Sequence, residues 1–369
     1  MHAREMLTRL LQAADIEING SRPWDFQVRV EEVFRRIARQ GSIGAGESYM
    51  DGWWESEQLD ELFARLLRAR LEKRFRYSPS ALLAMARGVL TNYARLRPFQ
   101  IGEDHYDVGN ELFLRMLDRR MTYTCGYWKD ATTLDQAQDA KLDLVCRKLG
   151  IREGDRILDI GSGWGSFINF AAEKYGARCL GLTVSREQAE HANAHRYNQG
   201  VETRLMDYRK VEGTFDHVVS LGMFEHVGRK NYRTFMQKVH SVLDDKGLFL
   251  LHTIGKNQSS VGTDAWIARY IFPNSMIPSC RQVAAAAAKL FVLEDWHNFG
   301  ADYDTTLMHW WRNFDAHWDE LEDRHDPRFY RMWKYYLLAS AGSFRARRNN
   351  LWQIVFSKHG VAGGYRRVD

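Results

Sequence analysis

The chain predicts a doubly wound α/β domain behind a small, mainly helical N-terminal domain, and three observations carry that expectation. Arg156-Ile157-Leu158-Asp159-Ile160 is an apolar run that breaks into Gly161-Ser162-Gly163-Trp164-Gly165 and resumes at Ser166-Phe167 with helical spacing, which reads as strand, tight turn and helix start. After residue 100, strand-like runs alternate with helix-length segments, the pattern of a parallel, Rossmann-like sheet with right-handed crossovers. Before residue 80 the apolar residues recur at helical spacing. At 369 residues the chain is long enough for one large domain and a small one, and 45% apolar with 27% charged residues fits a globular protein.

Met6, Leu7, Leu10, Leu11 and Ala14 start the helical part, followed by Val30, Phe34 and Ile37 and then by Leu59, Leu62, Phe63 and Leu66. The stretch from Gly41 to Gly46 reads as a glycine-rich turn leading to Trp53 and Trp54, both expected in the core. Ser78-Pro79-Ser80 breaks the pattern, so residues 1–80 are taken as the small domain, 81–99 as a linker and 100–369 as the catalytic domain. Within the latter, strands are expected at Arg178 to Thr183, Val201 to Met206, Phe215 to Ser220 and Leu248 to Ile254. Helices are expected at Arg186 to Tyr197 and through Phe235 and Val242. Two more, Thr305 to Leu321 and Phe329 to Arg345, precede a last strand, Leu351 to Ser357, expected antiparallel at the sheet edge.

No uncharged run reaches membrane-spanning length, since the alanine-rich stretch Val283 to Ala288 stops at Lys289. Glu5, Arg9 and Asp15 interrupt the N-terminal apolar residues and argue against a secretory signal, so a cytoplasmic location is expected. Cys125, Cys146, Cys179 and Cys280 form no CxxC pair, which argues against structural zinc, and no metal is expected. The formal net charge is +5, with basic clusters at Arg68, Arg70, Lys73, Arg74 and Arg76 and at Arg345, Arg347 and Arg348. Such clusters attract acidic phospholipid headgroups or nucleic acid, and each can equally be a solvated helix face.

What the glycine turn holds follows from what is missing. The spacing is GxGxG rather than GxGxxG, and the second strand ends in Gly181-Leu182-Thr183 without the acid that binds a dinucleotide's ribose. No GxxxxGK[ST] cradle is present for nucleotide phosphates. A cofactor without phosphates, such as S-adenosylmethionine, fits better.

Five longer motifs then stand out: Gly46-Glu47-Ser48-Tyr49-Met50-Asp51-Gly52-Trp53-Trp54, His105-Tyr106-Asp107-Val108-Gly109-Asn110, Tyr123-Thr124-Cys125, Gly222-Met223-Phe224-Glu225-His226-Val227-Gly228 and Leu251-His252-Thr253-Ile254-Gly255. Together they closely resemble the cyclopropane-fatty-acyl-phospholipid synthases, and the mycolic acid cyclopropane synthases share the later ones. The likeness runs through nearly the whole chain. It implies transfer of the sulfonium methyl of S-adenosylmethionine to the cis double bond of a phospholipid acyl chain, followed by proton loss that closes a cyclopropane ring. A fatty-acyl methyltransferase leaving a methyl branch or a methylene group is the alternative.

By the same resemblance, a bicarbonate ion serves as base, held by the side chains of Glu225, His252 and Tyr303 and by backbone at Cys125 and Ile254. Glu225 closely follows one expected strand and His252 lies near the end of the next, where open α/β sheets place their crevice, and a proton shared with the bound anion should couple their protonation. Cofactor contacts carry over to Gly161, Gly163, Trp164 and Gly165 in the turn and to Tyr123 and Thr124 over the methionine end. They extend to Thr183 and Gln188 at the ribose and to Asp207, Tyr208 and Arg209 near the adenine. Relatives commonly have cysteine where this chain has Ser340 and often where it has Ser162. Serine without an activating base is a poor substitute for a thiolate, so position 340 is not expected to be an obligatory nucleophile. The resemblance also implies peripheral attachment to the inner face of a phospholipid bilayer, docking aided by the small domain, a homodimer, and no nucleic-acid partner.

Overall fold

The computed structural model describes residues 3–70, 109–260 and 262–369. They form two compact units: one gathers the described residues up to 70 with Gly262–Pro273 and Tyr303–Asn349, the other residues 109–260 with Asn274–Asp302 and Asn350–Asp369. The expected linker, 81–99, lies outside the described residues. So do Lys73, Arg74 and Arg76 and residues 105–108 of one motif.

In the helical unit, helices Ala3–Ala13, Val33–Gln40, Ser42–Met50 and Leu59–Arg68 surround a two-residue antiparallel pair, β1 (Gln27–Val28) with β2 (Trp54–Glu55). The stretch expected as a glycine turn is helical instead. A Cβ on Gly44 would stand 2.4 Å from the Arg36 carbonyl oxygen, and one on Gly46 would stand 2.3 Å from the Trp266 ring. These glycines are close-approach sites inside a helix rather than breakers.

Trp54 anchors the unit's core, stacked on Phe26 at 4.5 Å, with Tyr49 edge-on at 5.0 Å. Tyr335, from helix Pro327–Arg345, packs on Trp266 at 4.5 Å and on Phe63 at 5.2 Å. Gly342 of that helix lets the backbone of helix Leu59–Arg68 approach, since a Cβ there would lie 2.5 Å from the Asp60 carbonyl oxygen. Residues 303–349, counted with the catalytic domain from the alternation of elements, thus pack among the N-terminal helices, because their aromatic faces complement Trp54, Phe63 and Trp266.

The second unit is built on a seven-stranded sheet. Its strands are β3 (Arg156–Ile160), β4 (Arg178–Thr183), β5 (Val201–Leu205), β6 (Phe215–Leu221), β7 (Leu243–Gly255), β8 (Val292–Asn298) and β9 (Asn350–Ser357), in the order β5-β4-β3-β6-β7-β9-β8. β3 to β7 are parallel, whereas β9 runs antiparallel to both β7 and β8. The closing strand is therefore internal, and the edge is β8. β8 escapes a search for alternation because its register shifts between Leu293 and Asp295, which breaks the two-residue period.

Helices cover both faces. Leu158, Ile160, Val218, Phe249 and Phe356 pack toward Phe235, Met236 and Val239. Ile157, Val219, Leu250 and Val355 pack toward Leu142, Val145, Phe167 and Ala171. The alternation of these strand residues between the two clusters is the period-two pleat buried on both sides. Helix Leu134–Leu149 was not read from the sequence, although Thr133 and Gln136 form a capping box at its start and Gly150 closes it in the left-handed region. Strand order reverses between β4 and β6, the two neighbours of β3, and this switch point opens a crevice at their carboxyl ends.

Candidate active site

The crevice begins where β3 ends. Gly161, Gly163 and Gly165 have φ of +90, +56 and +88°, the left-handed region that favours glycine. A Cβ at Gly161 would be 2.5 Å from Met223 Cβ, while one at Gly163 would meet nothing within 4 Å. The turn thus hugs its own wall at one position and offers bare backbone at the next.

The cavity around it is lined by Tyr123, Thr124, Gly161, Gly163, Trp164, Thr183, Gln188, Asp207 and Tyr208 among others. Nine of the eleven residues expected at a cofactor come together here. Gly165 and Arg209 do not line it. Gly165 precedes helix Ser166–Tyr175 and lies against Ala192, and Arg209 is held by the Asp207 carboxylate, its Nη2 2.5 Å from Oδ2.

Local bonds stiffen the wall. Trp164 Nε1 donates to Asn110 Oδ1 at 2.8 Å, tying the described end of the His105–Asn110 motif to the glycine turn. Thr183 Oγ1 donates to Gln188 Oε1 at 2.7 Å across the start of helix Arg186–Ala194, which Ser185 caps. Tyr208 packs edge-on against Phe235 at 5.3 Å, so its ring serves packing and cavity wall together.

Two charged residues of this cavity were not foreseen. Lys141, on helix Leu134–Leu149, is fully buried and donates from Nζ to Thr124 Oγ1 at 2.7 Å. Asp159, next to the glycine turn, is also buried, with Oδ1 lacking a hydrogen-bond partner among the described residues. Burial pushes the Asp159 carboxyl up to about 7, against the pull of Lys141, and brings Lys141 down to about 8. One turn earlier on the helix, Gln138 Nε2 donates to the Thr124 carbonyl at 2.7 Å and holds the same strip over the cavity.

Glu225, His252, Cys125 and Ile254 do not line that cavity, but Cys125 follows Thr124, Glu225 comes two residues after Met223, and the His252 carbonyl accepts the Gly222 amide at 2.9 Å. Glu225 lies in the short helix Phe224–Val227 after β6, and its Oε1 accepts the Ile254 amide of β7 at 2.6 Å. The Ile254 N–H, expected to face an anion, is thus taken by Glu225. Glu225 Oε2 and His252 Nε2 are both buried without a partner among the described residues.

Leaving such an atom unsatisfied costs about 1–3 kcal/mol, so the pair marks a place meant for a polar guest. Burial pushes Glu225 up to about 7, and burial with the charges of Lys141 and Lys148 holds the His252 ring neutral. Each shift is thus set mainly by desolvation. Cys125 is buried, its thiol donating to the Gly126 carbonyl at 3.2 Å. Tyr303 belongs to the helical unit, where its buried ring packs on Phe344 at 4.6 Å and Trp310 at 5.9 Å.

The chain as a whole is similar to known proteins. The chain is 49% identical to the cyclopropane-fatty-acyl-phospholipid synthase of Escherichia coli over 97% of its own length and 94% of that protein's. It is 35% identical to a probable fatty acid methyltransferase of Pseudomonas putida over 69% of this chain and 68% of that one. Among solved structures, the mycolic acid cyclopropane synthase CmaA1 in complex with SAH and CTAB superposes with a TM-score of 0.66 at 31% identity, covering 70% of this chain and 98% of that one. The cyclopropane synthase MmaA2 of Mycobacterium tuberculosis gives the same TM-score at 29% identity over 70% and 98% of the two chains. The family model for mycolic acid cyclopropane synthetase matches residues 94–354, and the chain belongs to that family.

Proposed function

We propose that this enzyme transfers a one-carbon unit from S-adenosylmethionine to the cis double bond of unsaturated phospholipid acyl chains, forming a cyclopropane ring. The observation that carries the reading is Glu225, buried beside β7 with one oxygen fixed by the Ile254 amide and the other without a partner among the described residues, while the neutral imidazole of His252 lies two residues before Ile254 on the same strand. The match of 49% to a phospholipid cyclopropane synthase over nearly the full chain supports the choice of lipid.

An alkene is a weak nucleophile, so the methyl donor must be held in line with it and away from water. The cavity residues fit that task. Gly163 lets backbone reach the cofactor's amino-acid end, Thr124 is steadied there by Lys141 and Gln138, and Gln188 with Thr183 offers oxygens for a ribose. When bound, S-adenosylmethionine would supply the methyl group and a bicarbonate ion would supply the base.

Glu225 and His252 suit such an anion. A carboxyl raised to about 7 can keep a proton at Oε2 and donate it, and a neutral imidazole can donate from Nε2. Cys125, also expected as a ligand, lies in the same unit, and Tyr303, the last of the expected side chains, belongs to the helical unit. Incubation with S-adenosylmethionine and vesicles of unsaturated phospholipid, followed by gas chromatography of the acyl chains, tests the reading. A ring is the expected product, and a methyl branch or methylene group would replace it with the alternative.

Attachment to a bilayer and a homodimer belong to the same proposal. No helix among the described residues is long and apolar enough to cross a membrane. One residue of each basic cluster meets the other within the helical unit, where Arg68 Nη2 donates to the Arg345 carbonyl at 3.2 Å, and this supports an electrostatic docking patch. The double variant Arg70→Glu, Arg348→Glu should sediment less with anionic vesicles and no differently with neutral ones.

A further inference from the structure

Behind the acid–imidazole pair lies a row of polar side chains that the reaction as described leaves unused. His252 on β7, Gln353 on β9 and His297 on β8 stand directly opposite one another in the antiparallel register, so all three project from one face of the sheet. Gln353 Nε2 is 3.4 Å from His252 Nδ1, and beyond the far end of the row Lys148 Nζ is 2.9 Å from His297 Nδ1. All four residues are buried. Asp295 follows at 3.7 Å from Lys148. Polar side chains in an interior sheet are unfavourable unless they satisfy one another, so the row needs a reason.

Donor and acceptor capacities give the row a direction. A lysine ammonium only donates, so Nδ1 of His297 accepts and the His297 ring proton sits on Nε2. Gln353, directly opposite across the strand, presents an amide oxygen that is buried and makes no hydrogen bond among the described residues, an acceptor to which that N–H can turn. The NH₂ of Gln353 then faces His252, where Nδ1 accepts and the ring proton again sits on Nε2.

We propose that Lys148, acting through His297 and Gln353, holds His252 as its Nε2–H tautomer and so presents a hydrogen-bond donor to the anion beside Glu225. The three are positioning residues, and the inference rests on the anion-assisted reaction proposed above. Burial leaves Lys148 with a value of about 8, so it is mostly charged at neutral pH, while His297 is pushed down to about 4 and stays a neutral acceptor.

The test is long-range ¹H–¹⁵N correlation on full-length protein labelled at histidine nitrogens, without lipid, with the His252 signals assigned by their loss in His252→Asn. The wild-type protein should show His252 as a single Nε2–H form. Lys148→Met should convert it to a mixture, and Gln353→Glu, whose carboxylate accepts, should move the proton to Nδ1. Both variants should lower kcat at least about tenfold, and KM for S-adenosylmethionine should stay within about twofold.

An Nδ1–H form in the wild type, or an unchanged tautomer in Lys148→Met, overturns the proposal. Should the tautomers behave as described while vesicle lipids acquire no ring, the row stands and the reading of the reaction falls.

Discussion

Two acids of the helical unit and two of the sheet unit respond to burial in opposite ways. In the helical unit, Arg36 reaches both Glu47, at 2.8 Å, and Asp51, at 2.7 Å, and Arg331 reaches Glu55 at 2.6 Å. Burial there raises the carboxyls of Glu47 and Asp51, but hydrogen bonds from Tyr270 and Arg36 to the first, and from Arg36 and Arg328 to the second, outweigh it and hold both below the ordinary range. In the sheet unit, Glu225 and Asp159 have no such cation bonded to them among the described residues, and burial carries both up to about 7. The lesson is that desolvation is present in both places and only the partner decides its sign. Groups with partners hold the fold together, and groups denied partners stay available for chemistry.

Four measurements would break or sharpen this contrast. Glu225→Gln removes the available carboxyl while keeping its shape, and should cost at least about a hundredfold in turnover with S-adenosylmethionine affinity by calorimetry near that of the wild type. Unchanged turnover would place Glu225 with the structural acids.

The second concerns pH. The unfolded Glu225 carboxyl loses its proton near 4.5 and the folded one near about 7, so between these values the folded state holds a proton that the unfolded chain has released. The stabilisation is fully present below 4.5 and is lost as pH rises through 7. The stability of the wild type relative to Glu225→Gln should therefore fall by roughly 3 kcal/mol across that window, read by denaturant titration at several pH values.

Arg36→Met should act the other way round. It takes one cation from Glu47 and Asp51, leaving Tyr270 on the first and Arg328 on the second, and removes a guanidinium 4.7 Å from the Trp53 ring centroid, costing about 2 kcal/mol of stability. Turnover per folded molecule should not change.

The smallest effect on the stability of the cofactor-free protein is expected at Gly163→Ala, where a methyl group meets open space and only the left-handed φ is penalised, by about 1 kcal/mol. The same change at Gly161 adds a contact with Met223 and should be worse in thermal unfolding.

Much of the sheet unit was legible because its strands are buried on both faces. β3, β4 and β6 show as apolar runs, and the glycines after β3 mark the crevice. What escaped has physical causes. Lys141 is an isolated cation on a helix, and such residues are mostly solvated, so only the fold reveals that it is buried against Thr124. Gly44 and Gly46 look like breakers because the tryptophan and the carbonyl that require them lie elsewhere in the chain. The exchange of a carboxylate for an anion at the Ile254 amide depends on a 2.6 Å bond between segments 29 residues apart, which no local pattern encodes.

The tight seat of Gly342 against helix Leu59–Arg68 bears on how the protein is made. Arg68, at the end of that helix, contacts Arg345, which lies 277 residues later in the chain. At ordinary ribosomal speeds the amino-terminal helices wait on the order of tens of seconds for the segment that covers them. Throughout that interval Leu59, Leu62 and Trp54 lack part of their cover, which makes the nascent chain a natural client for chaperones, and a message truncated before codon 327 should yield a product that aggregates.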